Sequence, residues 1–297
     1  MVLLVGAASL HAATFARTSS AQEAEVEGDW PDGKWQFELD GIGTSVHATV
    51  LVPQAGGGVQ PADAKIIAQS ASLGASYGIT DHWRVGLQLP WSRATIQVAG
   101  LSRSTTSFGN AELDGWFEHD WTKEISATYG LGVAGGGQGK TTSNDKTDQD
   151  RALTNQAIAN ARGYAFDARY QSGRSSAIPS MEVDWFHRGF QVEPYLRVQI
   201  LHDVTGDAPN KNVVTTELGT RFAVRWWNKL DTGFRTWWFA IPGGNVDHVE
   251  SSFVVEPELR ARFGPVTPLV GVLVPIAGPY ASPQRYVSGE LGIALDL

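Results

Sequence analysis

The sequence has no cysteine, no surplus of basic charge, and no apolar run near the ~18 residues a membrane-spanning helix requires. Each absence removes a class. Without Cys there is no disulfide framework and no thiolate metal site, and the chain suits an oxidising compartment where an unpaired thiol is a hazard. Without a long apolar run it is not a helical membrane protein. A net charge of -8 with scattered arginines argues against nucleic acid, whose partners carry a basic stripe. A phosphate-cradling glycine loop, a Cys/His zinc spacing, a dinucleotide fingerprint and a G-x-S-x-G nucleophile motif are missing too. No cofactor, metal or catalytic residue is assigned on this reading, and no enzyme is expected.

What the chain does have begins with a leader-like start. Residues 2–13 form a mostly apolar run, and Ser19-Ser20-Ala21 offers the small residues that a signal peptidase reads. Residues 1–21 are therefore expected to be a signal peptide, with 22–34 a periplasmic N-terminal segment. Removing 1–21 takes away Arg17 and no acid, so the net charge goes from -8 to -9.

From Trp35 onward the dominant period is two. In Phe253-Val-Val-Glu-Pro-Glu-Leu-Arg-Ala-Arg-Phe263 the odd positions are apolar, while Glu256, Glu258, Arg260 and Arg262 take even ones. Neighbouring side chains of a strand face opposite sides, so one face is greasy and the other charged. The same pattern sets Phe190, Val192, Leu196, Val198 and Ile200 against Gln191, Glu193, Arg197 and Gln199. Leu218, Phe222 and Val224 likewise alternate with Glu217, Arg221 and Arg225. A tilted membrane strand crosses in about 9–11 residues, so runs of this kind suit a membrane barrel. Twelve are expected, at about 35–52, 66–78, 83–97, 105–121, 125–138, 175–187, 190–203, 213–227, 232–242, 252–263, 266–277 and 285–297. The phase of the first breaks at Gly41-Ile-Gly43, which suggests a bulge there.

The links between segments alternate in length. Those after even-numbered segments are tight, at 79–82, 122–124, 188–189, 228–231 and 264–265. Those after odd-numbered ones are longer, at 53–65, 98–104, 139–174, 204–212, 243–251 and 278–284. Short periplasmic turns and longer external loops are the asymmetry of outer-membrane barrels, and an even count returns both termini to the periplasmic side. All seven lysines fall outside the segments, as expected where a lysine facing lipid costs roughly 2–4 kcal/mol at the midplane. Trp35, Tyr77, Trp83, Trp121, Trp226 and Trp227 gather at one expected interface, and Trp237, Trp238 and Tyr286 at the other, as two aromatic girdles would. Trp116 and Trp185 fit neither. The last segment ends Leu291, Ile293, Leu295, Leu297, similar to the signal read by the barrel-assembly machinery, with Leu297 in place of the usual aromatic.

The expectation is an all-β protein, a transmembrane antiparallel up-and-down β-barrel of about 12 strands over 35–297, held in a bacterial outer membrane. Its surroundings would be outer-membrane lipid and lipopolysaccharide. A soluble β-sandwich or ligand-binding barrel alternates too, with its charged face outward. Loop asymmetry, Trp placement, the terminal segment and the leader favour the membrane reading.

Tyr77-Gly-Ile-Thr-Asp-His-Trp-Arg-Val-Gly-Leu-Gln-Leu-Pro-Trp91 resembles a hairpin of the outer-membrane proteins grouped with the meta-pathway phenol-degradation transporters. Those proteins pair a YG(L/I)TD turn with a VGL-LP strand. Ser107-Phe-Gly-Asn-Ala-Glu-Leu-Asp114 resembles the following strand, with Asn110-Ala111 set into the usual Gly-Asp-Leu type sequence. The resemblance covers these two stretches well and the rest only as repeated barrel strands. It implies a barrel and an uptake role for small organic compounds, and it carries over no catalytic residue.

With the apolar faces toward lipid, the other faces line the lumen. The fourth and sixth segments would present Glu112, Asp114, Glu118, Glu182 and Asp184, and the seventh Arg197. The eighth to tenth would present Glu217, Arg221, Arg225, Arg235, Glu256, Glu258, Arg260 and Arg262. An acidic wall facing a basic one would set up a transverse field that orients polar solutes. Alternatively these charges pair across a narrow lumen and plug it, since buried charge needs partners. A barrel of this size stands between small filled barrels and open porins. The long external loop 139–174, with 151–161 spaced for a short helix, would fold into the mouth as a constriction or stand outside as a flap.

The functional expectation is passive uptake of small, aromatic or otherwise hydrophobic molecules through an outer-membrane channel. Its competitors are a closed structural or adhesive barrel, and a hydrolase at the external rim using His202-Asp203 or Asp247-His248. Against the last, His202 and Asp203 are neighbours on opposite faces of one segment.

Overall fold

The structure is a computed structural model describing residues 33–53, 59–98, 100–135, 168–170, 173–204, 212–227, 229–240, 251–278 and 286–297. The expected signal peptide 1–21, the 151–161 helix and the Asp247-His248 pair lie outside the described residues.

Alternating sequences become strands almost throughout. They are β1 (Trp35–Pro53), β2 (Val59–Gly78), β3 (Trp83–Val98), β4 (Leu101–Phe108), β5 (Ala111–Asp120), β6 (Ile125–Gly135), β7 (Arg174–His187), β8 (Phe190–Asp203), β9 (Asn212–Trp226), β10 (Leu230–Ala240), β11 (Ser251–Ala261), β12 (Val266–Ala277) and β13 (Tyr286–Asp296). Pairing is antiparallel from strand to strand. The ladders β1–β13 and β2–β3 close the sheet on itself, so no edge is left for lipid to meet.

Two of these strands make a single crossing. β4 pairs the upper part of β3, from Trp91↔Phe108 to Val98↔Leu101, and β5 the lower part, from Trp83↔Phe117 to Gln88↔Glu112. From Gln88 to Trp91 β3 advances three residues while its partner advances four, from Glu112 back to Phe108. That extra residue is a β-bulge, at Gly109-Asn110. The barrel therefore has 12 crossing strands.

The bulge suggested at Gly41-Ile-Gly43 is not there. The β1–β13 ladder runs unbroken from Gln36↔Asp296 to Val46↔Tyr286. What changes along β1 is the chemistry of its inward face, from Gln36 and Asp40 to Ile42 and Val46, all buried. A strand that turns apolar on the inside loses its alternation while keeping its register.

Two external links are also shorter than expected, because the strands run on past the membrane. β1 and β2 have 19 and 20 residues, about twice what a crossing needs, and only 54–58 lies between them. β3 and β4 leave only 99–100. Lys65 consequently falls inside β2, contrary to the expectation that lysines stay outside strands. It stands more than a dozen residues above Gly78 on a tilted strand rising ~3.3 Å per residue, past an apolar band ~25 Å tall. The opposite rim is made of tight turns. In one of them Arg188 and Gly189 both take positive φ, 49° and 86°, the twist that suits a two-residue hairpin.

The outside of the barrel is apolar. Leu39, Leu87, Leu131, Leu218, Val272 and Ile293 are all exposed, while their neighbours on each strand turn inward. Trp35, Trp83, Trp121 and Trp226 are exposed at the tight-turn rim, Trp185 joins them there, and Trp238 is exposed nearer the other end. Trp237, expected in the outer girdle, is instead turned inward and buried, as is Trp116. Among the described residues no helix is long and apolar enough to cross a membrane; the strands do so. Apolar residues outside and charges inside at the same height are tenable only in lipid. The chain is a β-barrel of the bacterial outer membrane.

Candidate functional site

Residues opposite one another on adjacent strands are side-by-side neighbours, so the lumen wall can be followed rung by rung. One rung is Tyr195, Gly219, Trp237 and Val254. The Tyr195 ring lies across Gly219, where a Cβ would stand 2.4 Å from it, and its hydroxyl donates to Glu217 Oε1 at 2.9 Å. Trp237 and Val254 join Ile42, Val46, Ile66 and Leu273 in one buried apolar cluster that also takes in Tyr195 and Tyr170. Its members Trp237, Val254 and Leu273 stand past the midpoints of β10, β11 and β12 toward the external ends, whereas Ile42 lies nearer the periplasmic end of β1. The lumen thus carries an apolar tier on β1, β2 and β10 to β12, while on β8 and β9 the buried Arg197, Gln199, Thr215 and Glu217 stand farther toward the external side than Tyr195 and Gly219.

The next rung toward the periplasm is Glu193, Arg221, Arg235 and Glu256, and here the chemistry changes. Arg221 Nη1 lies 3.0 Å from Glu193 Oε2, and its Nε donates to Glu258. Arg235 Nη2 has three carboxylates around it, Glu258 at 3.3 Å, Glu256 at 3.4 Å and Glu290 at 3.7 Å. Arg260 Nε sits 3.5 Å from Glu258 Oε1. Lower still, Arg225 Nε and Arg262 Nη2 converge on Asp231 at 3.2 and 2.5 Å. Charges this deeply buried persist because each has an opposite charge at hand.

The long loop contributes one described turn, the 3-10 helix Ala168–Tyr170, and it lies inside the barrel. Arg169 is fully buried, with Nε 3.4 Å from Glu112 Oε2 and a hydrogen bond to Gln88. Arg197 Nη2 reaches the other oxygen of Glu112 at 3.1 Å. The backbone of the turn is tied to the bulge: Asn110 N donates to the Arg169 carbonyl at 2.6 Å, and Asn110 Nδ2 to the Arg174 carbonyl at 3.1 Å. Of the two expectations for loop 139–174, this part enters the lumen.

Of the residues singled out from sequence, Glu112, Asp114, Glu118, Glu182, Arg197, Glu217, Arg221, Arg235, Glu256, Glu258 and Arg260 are buried on inward faces. Asp184, Arg225 and Arg262 are half-buried toward the periplasmic rim. The arginines of β9 to β11 meet carboxylates on their own or nearby strands, while Arg197 crosses to Glu112 of β5. Sequence reasoning missed Asp231, Glu290, Arg169 and the apolar tier of the lumen. Glu290 was within reach, since Ser288 and Glu290 alternate with the apolar residues of β13. Arg169 sits in a loop and carries no periodic signal. His202 is exposed with its Nδ1 2.7 Å from Asn212 Oδ1, whereas Asp203 is buried, so the two do not share a site.

No family model matches the chain, and no curated protein matches it. Solved structures do. The translocator domain of autotransporter NalP from Neisseria meningitidis is similar with a TM-score of 0.47 and 12% identity, over 90% of each chain. A TodX deltaS2S3 mutant, a monoaromatic hydrocarbon channel, gives 0.41 and 9% over 90% of each chain. The anion-selective porin from Comamonas acidovorans gives 0.35 and 8%, over 89% of this chain and all (100%) of the porin. Likenesses this distant carry no argument about activity; the barrel stands on its own closed pairing and inside-out chemistry.

Proposed function

We propose that the protein is an outer-membrane channel for small apolar or aromatic molecules. The observation that carries this reading is the apolar tier of Ile42, Val46, Ile66, Trp237, Val254 and Leu273, facing inward. A water-filled pore has no use for hydrocarbon on its inner wall, whereas a conduit for greasy solutes does. Trp237, Val254 and Leu273 of this tier stand toward the external ends of their strands, where such a solute would arrive, and the paired charges of Arg221 and Arg235 lie next to them. The likeness of 77–91 and 107–114 to phenol-degradation transporters implies the same class of solute. Assembly by the barrel-assembly machinery and contact with lipopolysaccharide belong to this reading.

A second reading, a closed structural or adhesive barrel, draws support from the buried ion pairs that fill the lower lumen. Uptake separates the two. Cells making the protein are expected to take up labelled toluene faster than cells without it, and Trp237→Asp should remove most of the gain. The comparison is made at equal amounts of folded protein, judged by an unboiled band that migrates differently from the boiled one. Equal uptake in all three strains supports the closed barrel and sinks the channel.

A further inference from the structure

The turn that carries Arg169 is built into the wall. Gly109 has no side chain to spare: a Cβ there would stand 2.1 Å from the Arg169 carbonyl oxygen. The bulge turns the Asn110 N–H away from the β3 ladder and onto that same carbonyl, while its side chain amide holds Arg174. On the far side the Tyr170 hydroxyl donates to the Ala71 carbonyl at 3.4 Å, and its ring packs into the apolar tier. A segment held at three places is a fixture of the lumen.

What the fixture delivers is a positive charge against the most acidic part of the wall. The inward faces of β5 and β7 carry Glu112, Asp114, Glu118, Glu182 and Asp184. Arg169 touches Glu112 and lies within electrostatic reach of Asp114 and, across the lumen, Asp40. Arg197 shares Glu112, so the wall's own arginine is already engaged there. A passage lined by one sign of charge concentrates the opposite ion by about 10-fold or more. An uncharged solute would then compete with cations drawn into the same space.

We propose that Arg169 is the selectivity-determining residue of the conduit: delivered by the loop and seated in the Gly109-Asn110 bulge, it offsets the acidic wall and keeps the passage from favouring cations. This rests on the channel reading above. The mechanism needs a charge at that point and needs the seat, and the two can be separated.

The test is the reversal potential of the purified full-length protein in planar bilayers under a KCl gradient. Arg169→Ala is expected to raise the K+ over Cl- permeability ratio by about 10-fold. Arg169→Lys should stay close to the wild type, and Arg169→Ala with Glu112→Gln should recover part of the change. Gly109→Ala keeps every charge but displaces the Arg169 backbone, and it too should move the ratio toward K+. Each variant is first shown to give the shifted unboiled band of a folded barrel. A wild-type ratio in Arg169→Ala overturns the proposal while leaving the channel standing. Silence of the wild type and every variant removes the channel reading, and this proposal falls with it.

Discussion

Two regions of the lumen wall face inward on the same strands, yet they solve opposite problems. Toward the periplasm the inward positions of β8 to β11 carry Glu193, Arg221, Arg235, Glu256 and Glu258, locked in a network of pairs. One or two rungs higher, the same strands offer Tyr195, Gly219, Trp237 and Val254. The charged region is held by pairs that cannot lose a partner. The apolar tier is held by contact area, which is tolerant of loss. A membrane barrel needs its outside to be apolar and leaves its inside to function, so a change of inner chemistry at constant register points to a change of task.

That contrast makes a graded forecast. Arg235 serves Glu256, Glu258 and Glu290 together, so Arg235→Ala leaves buried carboxylates without their cation. Breaking such a set typically costs about 3–5 kcal/mol, expected here as a lower urea midpoint for the protein in detergent micelles. Leu273→Ala leaves a void in the apolar cluster that includes Trp237 and Val254 and should cost less, roughly 2–3 kcal/mol, the low end for buried leucine. If the order is reversed, the charged region is not the part that holds the barrel together, and the contrast between the two regions is wrong.

The sequence allowed the barrel to be inferred because lipid imposes one chemistry on every outward position, and period two makes it visible. Phe253 to Phe263 shows this most plainly, with Val254 the inward residue that breaks the polar series. The same uniformity hid the apolar tier of the lumen. Where the inner face is apolar as well, both faces look alike, which is why β1 seemed to lose phase at Gly41-Ile-Gly43 when its ladder is continuous. Trp237 was read as an interfacial anchor for the same reason, since position near a strand end does not say which face a ring takes. The real bulge lies where Ser, Thr, Gly and Asn leave little hydrophobic contrast to break. Asn110-Ala111, the point at which 107–114 departs from the family strand it resembles, was its one visible mark. Arg169 had none: a loop residue is brought to its partners by the whole fold, and local pattern carries no trace of that.

The central claim is that an apolar tier faces the lumen while an equally apolar belt faces lipid, and side-chain orientation tests it directly. The chain has no native cysteine, so single replacements can be labelled cleanly. Bimane would be attached at Leu131→Cys, Leu273→Cys or Val254→Cys, and its fluorescence measured in bilayers containing nitroxide-labelled lipid. Leu131 is exposed on the outside, whereas Leu273 and Val254 are buried inside. The expected result is strong quenching at position 131 and little at 273 or 254. Strong quenching at 273 and 254 would mean that these residues face lipid, and the apolar tier would not exist.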